Sequence, residues 1–300
     1  MFQFNNPFKV EGNWYKGNLH THTTNSDGAL SPSEAVCEYE KEGYHFLAIT
    51  DHWRLTELKG TSNMLLIRGE EVDCPAKGVS FHLIALDIKE EIPHPTKDDP
   101  ELDPQELIRR IKSQGGQVIL AHPYWSALST MDMLSIEGYI GVEVFNTGCL
   151  FEVDKGYSMT HWDDLLIRGR NVFGFAVDDA HWHHREHQPK DACQAWIMVK
   201  ARSLSTEEIM DSIRKGLFYA SWGPKIKDLS IEGDRIYVST SPVKSISFVA
   251  PNGRGERFSA VRSRLIEDAE YKIRGEEKYV RVQCIDEAGR MAWTNAIFFS

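Results

Sequence analysis

The sequence predicts an α/β protein, a barrel or another largely parallel fold, followed by a small β-sandwich. Three observations carry this. Short apolar strands alternate with capped helices up to about residue 222. Side chains able to hold a metal recur at the carboxyl ends of those strands, where parallel α/β folds build their sites. After Gly223-Pro224 the pattern changes to short alternating strands at 236–238, 246–248 and 279–284, separated by turn signals such as Asn252-Gly253. The 300 residues suffice for one large and one small unit, expected at 1–222 and 223–300.

Composition narrows the function. A hydrophobic fraction of 41% and a charged fraction of 26% fit a soluble globular protein. The net charge is −10 and there is no Lys/Arg run, which argues against a nucleic-acid polymer as partner. A small anionic substrate stays open, because bound metals can reverse the local charge. Neither a signal peptide nor a membrane span is expected. The five scattered cysteines, with no Cys-x-x-Cys, point to a reduced cytoplasm.

The first strand, around Trp14-Tyr15-Lys16-Gly17, leads into Asn18-Leu19-His20-Thr21-His22 and then Ser26-Asp27-Gly28. Residues two apart on a strand share a face, so His20 and His22 present two imidazoles side by side. Asp27, on an Asp-Gly turn, can swing a carboxylate over them. Imidazole suits zinc, iron and manganese, and the carboxylate keeps harder metals in play. An isolated His-x-His is as well explained by a surface strand, so further ligands decide.

Ser31-Pro32-Ser33-Glu34 starts a helix with a capping box, and Gly43 stops it. Strand 46–50 then delivers Asp51-His52. His52 is the next ligand candidate. Asp51 has the opposite pleat parity and is read as a catalytic-site carboxylate orienting an imidazole, against a simple capping role. Arg54 can meet an anionic substrate, against a solvated surface arginine. Strand 64–72 places Leu65, Ile67, Gly69 and Glu71 on one face, Arg68 and Glu70 on the other. Glu71 is assigned to the interior as a ligand, since an inward carboxylate without a metal is costly. Glu70 is assigned to solvent or to a pair with Arg68.

Strand 79–88 carries His82, and the acidic, proline-punctuated loop 90–103 carries His94. Asp103-Pro104-Gln105-Glu106 starts a second capped helix, and strand 117–122 ends in His122-Pro123. Strand 139–146 ends with Glu143 and Asn146, either of which can support a ligand, touch substrate or cap a loop. A helix at 162–168 precedes strand 171–177, which ends Asp178-Asp179-Ala180-His181. Asp179 and His181 can face one way, with Asp178 opposed. The nitrogen-rich stretch 182–187, with His183 and Arg185, can clamp a phosphate or form a solvated loop. His45 and His161 are read as structural. Ser205 caps a last helix ending near Gly216.

Each histidine alone has a plain explanation; their joint occurrence at successive strand ends does not. Asn18-Leu19-His20-Thr21-His22 with Ser26-Asp27-Gly28, Ile49-Thr50-Asp51-His52, Gly69-Glu70-Glu71, His82, Ala121-His122-Pro123 and Asp179-Ala180-His181 resemble, in order, the motifs of the polymerase and histidinol phosphatase (PHP) superfamily. The resemblance covers about residues 14–222. It implies a distorted (β/α)7 barrel with two or three divalent metal ions (Mn, Zn or Fe). By that resemblance His20, His22, Glu71 and Asp179 hold one metal. Glu71 bridges to a second, held by His82 and His122, and Asp27, His52 and His181 hold a third. Lys16-Gly17-Asn18 and the tail Ala292-Trp293-Thr294-Asn295 also resemble the carbaryl-hydrolase-like branch, which joins the barrel to a small β-domain.

The expected reaction is hydrolysis of a small phosphorylated substrate by a metal-activated water. Asp51 and Arg54 are candidate catalytic residues, and Asn146, His183 and Arg185 candidate substrate contacts. The same metal centre could instead cleave an ester or carbamate. A non-catalytic metal-binding module is disfavoured, since no ligand is missing.

Overall fold

The structure, a computed structural model, describes residues 2–58, 63–76, 78–94, 103–183, 186–262 and 264–299. In chain order the first strands are β1 (Phe2–Gln3), β2 (Asn13–Asn18), β3 (Phe46–Ile49), β4 (Leu65–Ala76) and β5 (Val79–Leu86). They are followed by β6 (Gln117–Leu120), β7 (Gly141–Asn146), β8 (Phe173–Val177), β9 (Trp196–Ala201) and β10 (Phe218–Ser221). The C-terminal strands are β11 (Ile226–Glu232), β12 (Arg235–Val243), β13 (Ser245–Val249), β14 (Gly255–Ser259), β15 (Ile266–Lys272), β16 (Tyr279–Ile285), β17 (Met291–Thr294) and β18 (Ile297–Phe299). The α-helices are α1 (Pro32–Lys41), α2 (Pro104–Ser113), α3 (Thr130–Leu134), α4 (Thr147–Val153), α5 (Met159–Ile167) and α6 (Thr206–Arg214).

Local chemistry explains the helix starts. Ser31 and Glu34 form the capping box of α1, while the side chains of Asp103 and Ser205 accept from the amides three residues on in α2 and α6. Strands β2 to β8 lie side by side in sequence order. The pairs β2–β3, β3–β4, β6–β7 and β7–β8 are parallel. The path returns to its start beyond the ends of β2 and β8, where Thr21 and Ala180 form a parallel bridge. The His22 N–H donates to the Ala180 carbonyl at 2.9 Å, and the Asp179 N–H to the His20 carbonyl at 2.9 Å. Gly17 in β2 is required by close approach: a Cβ there would lie 2.1 Å from the Phe46 ring.

Two sequence expectations are corrected. Strand and helix do not alternate throughout: β4 and β5 form an antiparallel hairpin, and β5 pairs antiparallel with β6. The apolar runs look alike in either direction, so periodicity could not distinguish them. Glu70 does not face solvent. It is fully buried and accepts from the Ile92 N–H at 2.6 Å, while Arg68 pairs with Glu57 and donates to the Ile88 carbonyl. Ile88, Ile92, Leu107 and Ile108 belong to the same buried core as β4, and the chain at Ile92 covers Glu70, while Arg68, two residues earlier on that face, stays exposed. Burial pushes the Glu70 carboxyl up to about 7.

The C-terminal strands continue from this ladder. β9 pairs antiparallel with β2, β10 with β9, and β17 with β10. β16 follows β17 and also pairs with β13 and β18, and β14 extends the sheet beyond β13. A separate sheet of β11, β12 and β15 shares an apolar core with these strands, including Leu229, Ile236, Tyr271, Ile246, Phe248 and Val282. Asn295 ties the parts together: its carbonyl accepts from the Gly174 N–H, and its amide donates to the Gly216 and Phe218 carbonyls. No helix among the described residues is long and apolar enough to cross a membrane.

A buried arginine completes this junction. Arg281 of β16 forms a two-pronged pair with Asp163 of α5, at 2.7 and 2.6 Å, and lies over the Trp162 ring. Tyr279 donates to the same carboxylate at 3.0 Å. Asp163 keeps some contact with water, which moderates the loss if its partner is removed. Arg281→Ala should cost about 2–4 kcal/mol, read as a lower denaturant midpoint, with metal content at the site unchanged.

Candidate metal centre

The histidines of the first motif continue past the end of β2 into the ring of strand ends. His20 and His22 are fully buried. His20 Nε2 lies 3.0 Å from Glu71 Oε2 and 3.1 Å from Asp179 Oδ1. His22 Nε2 lies 3.1 Å from the same Glu71 oxygen, 3.2 Å from the same Asp179 oxygen and 3.1 Å from His20 Nε2. The other Glu71 oxygen, Oε1, lies 2.8 Å from His82 Nδ1 and 3.3 Å from His122 Nε2. One carboxylate therefore faces two separate sets of imidazoles.

A further group forms at the rim. Asp27 Oδ2 lies 3.4 Å from His181 Nε2 and 3.8 Å from His52 Nε2, and its Oδ1 lies 3.5 Å from His22 Nδ1. Among the described residues the ligand-type groups are thus His20, His22, Glu71 and Asp179; Glu71, His82 and His122; and His22, Asp27, His52 and His181. Asp179 reaches inward from a left-handed backbone, φ 53°, which breaks the simple strand alternation.

The donor chemistry fits divalent cations. Glu143 Oε1 lies 2.7 Å from His20 Nδ1, so the ring donates there, and Nε2 presents a lone pair once it gives up its own proton. That lone pair faces a second imidazole nitrogen and two carboxylate oxygens, so acceptors converge where only a cation can satisfy them. Burial opposes charge at His20, His22, Glu71, His82, Asp179 and His181, and mutual attraction overcomes it there, whereas at His52 burial prevails and lowers the imidazole. The Glu71 and Asp179 carboxyls are held well below the usual carboxylate range, against burial, chiefly by the His20 charge. His20 is raised well above the usual imidazole range by Asp179, Glu143 and Glu71, again against burial. His181, opposed by burial and drawn up mainly by Asp27, rises to about 9. Mixed imidazole and carboxylate donors suit zinc, iron or manganese.

Supporting groups were partly misassigned from sequence. Asp51 orients no imidazole. It is buried and accepts from the Thr23 amide and the hydroxyls of Thr23, Ser26 and Thr56, so it fixes the loop that carries Asp27. Arg54 does not line the cavity; it is exposed and lies 3.8 Å from Glu91. Asn146 is buried, donates to Glu143 and Asp179, and caps α4 through Cys149. Asn146 is therefore a support for ligands rather than a surface for substrate. His183 does line the cavity, whereas Arg185 lies outside the described residues. Asp178 accepts from Tyr39, Thr147 and the amides of Cys193, Gln194 and Ala195, which anchors the segment following the site. Burial pushes its carboxyl up to about 6.

The cavity over these groups measures about 280 Å³. Besides the ligand-type side chains its walls include Trp125, Cys149, Phe151, Gln188 and Pro189. Trp125 was not singled out in the sequence, where its only signal is its place three residues after His122.

Comparison with known proteins follows the same region. The chain is 30% identical over 145 residues to the uncharacterized protein MJ1587 of Methanocaldococcus jannaschii, covering 44% of this chain and 81% of that protein. It is 38% identical over 66 residues to the Bacillus subtilis DNA polymerase/3'-5' exonuclease PolX, covering 21% of this chain but only 12% of that protein. It is 31% identical over 87 residues to a Haemophilus influenzae 5'-3' exoribonuclease, of which the chain covers 32%. A Bacteroides vulgatus two-domain protein, described as containing a predicted PHP-like metal-dependent phosphoesterase, has the same mixed α/β fold. The TM-score is 0.54 at 16% identity over 94% of each chain. No family model matches the chain.

Two outcomes test the site. Glu143 accepts from His20, from the His122 amide at 2.8 Å and from Asn146 at 2.9 Å, so every neighbour is a donor. Glu143→Gln must turn an N–H toward one of them, and metal affinity measured by chelator competition should fall about 10–100-fold. Metal uptake near pH 7 should also release protons, because His181 stays protonated up to about 9. Affinity should therefore rise with pH and level off above that value. Calorimetry in buffers of different ionisation enthalpy reads the proton count; no release at pH 7 would contradict the electrostatics.

Proposed function

The chain belongs to the family of the M. jannaschii protein MJ1587, and from that premise we propose that it is a metal-dependent hydrolase, specifically a phosphoesterase acting on a small phosphorylated substrate. The observation that carries this reading is Glu71, whose two oxygens separate two imidazole sets at 2.8–3.3 Å. A bridging carboxylate between paired cation sites suits in-line displacement at phosphorus, where attacking and leaving oxygens both need stabilisation. Further support comes from the sequence motifs, on which we place the chain in the PHP superfamily, in its carbaryl-hydrolase-like branch. That placement would make the architecture a distorted (β/α)7 barrel at 1–222 with a β-sandwich at 223–300. The unpaired cysteines support a cytoplasmic setting.

His20, His22, Glu71 and Asp179 would hold one ion, Glu71, His82 and His122 a second, and Asp27, His52 and His181 a third. Bound divalent ions supply a nucleophile from water at neutral pH and neutralise charge on the phosphoryl oxygens. The protein's own groups prepare the site for that chemistry. Glu143 and Ser126 fix the imidazoles of His20 and His122 through their Nδ1 atoms. Full burial of His20, His22 and Glu71 keeps competing water from these donors. His181 and His183 stand at the accessible side, where they can contact the phosphoryl group. The two partially matching relatives named as nucleases suggest a nucleic-acid polymer as a rival substrate. The net charge of −10 disfavours it.

The test combines metal analysis with a screen of phosphomonoesters, phosphodiesters, carboxylic esters and carbamates, with Mn²⁺, Zn²⁺ or Fe²⁺ supplied. Phosphate release is expected, with Asp179→Asn lowering both turnover and bound metal by about 100-fold or more. Cleavage of esters or carbamates alone would replace the phosphoesterase with an esterase on the same centre.

A further inference from the structure

The cavity is chemically divided. Its floor is the carboxylate and imidazole cluster, whereas Trp125, Phe151 and Pro189 form apolar parts of its wall. Trp125 stands nearest the chemistry. Its ring lies 5.1 Å from the His122 ring and 5.7 Å from the His82 ring, edge-on to both. Of Trp125, 38% remains exposed, so part of the indole is open to a ligand in the cavity.

The chain holds this indole in place. His122, two residues past the end of β6, has φ 25°, and Pro123 lacks a backbone N–H, so the backbone turns at once. The Ser126 amide donates to the His122 carbonyl, Ala127 to Tyr124, and Leu128 to Pro123. The Ser126 hydroxyl also reaches His122 Nδ1 at 3.0 Å. Behind the indole, Pro75, Ala76 and Val79 at the β4–β5 hairpin tip line a separate groove that Trp125 also borders. The ring therefore separates the two spaces on a short, hydrogen-bonded turn and costs little to order on binding.

We infer that Trp125 is a specificity-determining residue that contacts the leaving group and selects phosphoesters whose leaving group is a flat aromatic ring. The inference rests on the phosphoesterase reading for its reaction, but the selection acts on binding and can be read without turnover. A phosphoryl group held over the Glu71–His82–His122 set would carry its substituent out past the adjacent indole. A planar ring there gains offset or edge-to-face contact, which a saturated chain cannot match.

The experiment titrates phenylphosphonate and ethylphosphonate, neither of which is hydrolysed, into the Mn²⁺-supplied protein by calorimetry. Wild type, Trp125→Phe and Trp125→Leu are compared, with bound metal quantified in each. Wild type should prefer the phenyl ligand by about fivefold to tenfold. Phe should keep most of that preference. Leu, which retains apolar bulk, should lose it while ethylphosphonate affinity and metal content hold. Equal binding of the two ligands by wild type, or failure of both to bind, would overturn the inference. So would a Leu variant that keeps the preference or loses both ligands together with metal. If phenyl phosphate is not hydrolysed while the phenylphosphonate preference stands, the reaction assignment fails and the selectivity survives.

Discussion

The structure depends on one carboxylate held in a place where a carboxylate is expensive. Glu71 is 1% exposed, and among the described residues no lysine or arginine pairs with it. Among those residues its partners are imidazoles, His20, His22 and His52 at one oxygen and His82 and His122 at the other. Neutral imidazoles cannot balance that charge; cations must. Protons can serve, and the raised affinities of His20, His82 and His181 for protons show the demand. Divalent ions serve better because one ion satisfies several donors at once. The same constraint sets the pH behaviour: whatever binds there competes with protons.

Holding that carboxylate requires a scaffold that fixes the segments carrying its neighbours. Asp51, Glu143 and Asp178 each gather several donors, and none of them belongs to the ligand-type groups. Asp51 ties the Thr23–Ser26 turn, Glu143 the imidazole of His20 and the His122 backbone, and Asp178 the chain after the last motif. These contacts are distant in sequence, so the ligands keep their geometry only if the ring of strands is closed. The Thr21–Ala180 bridge does this beside His20, His22, Asp179 and His181, joining the start of the ladder to its end.

This division explains what could be read from the sequence. The candidate ligand-type residues were legible from their place at strand ends and from the motif resemblance that grouped them, and the fold brings them together. The helix starts at Ser31, Asp103 and Ser205 were legible because capping is local. Asp51 was misread because its role depends on residues far along the chain, and at Asn146 and Arg54 the substrate roles give way to the supporting, capping and surface roles read beside them. Asp51 looked equally suited to an imidazole or to a turn, and only the fold places Thr23 and Ser26 against it. Glu70 was misread because alternation implies a solvent face, and the chain at Ile92 covers that face at Glu70. The antiparallel hairpin of β4 and β5 escaped notice for a similar reason: direction is a tertiary property.

The C-terminal strands bear on the centre although none of their side chains belongs to the ligand-type groups. Glu143, Phe145 and Asn146 all sit on β7, whose pairing with β8 shifts register between Glu143 and Phe145. Phe145 stacks on Trp222 at 4.5 Å and faces Trp293 of β17 at 6.0 Å. Asn295, two residues further on, fastens the amide of Gly174 in β8, the strand beside β7. The strand that orients His20 therefore rests on the C-terminal tail. An aromatic stack is stiff and fills its space, so displacement of Trp293 would be felt first at Phe145 and then at its neighbours in β7. On this argument the tail acts as a buttress: it contributes no ligand, but it limits how far Glu143 and Asn146 can move away from the imidazole and carboxylate they hold.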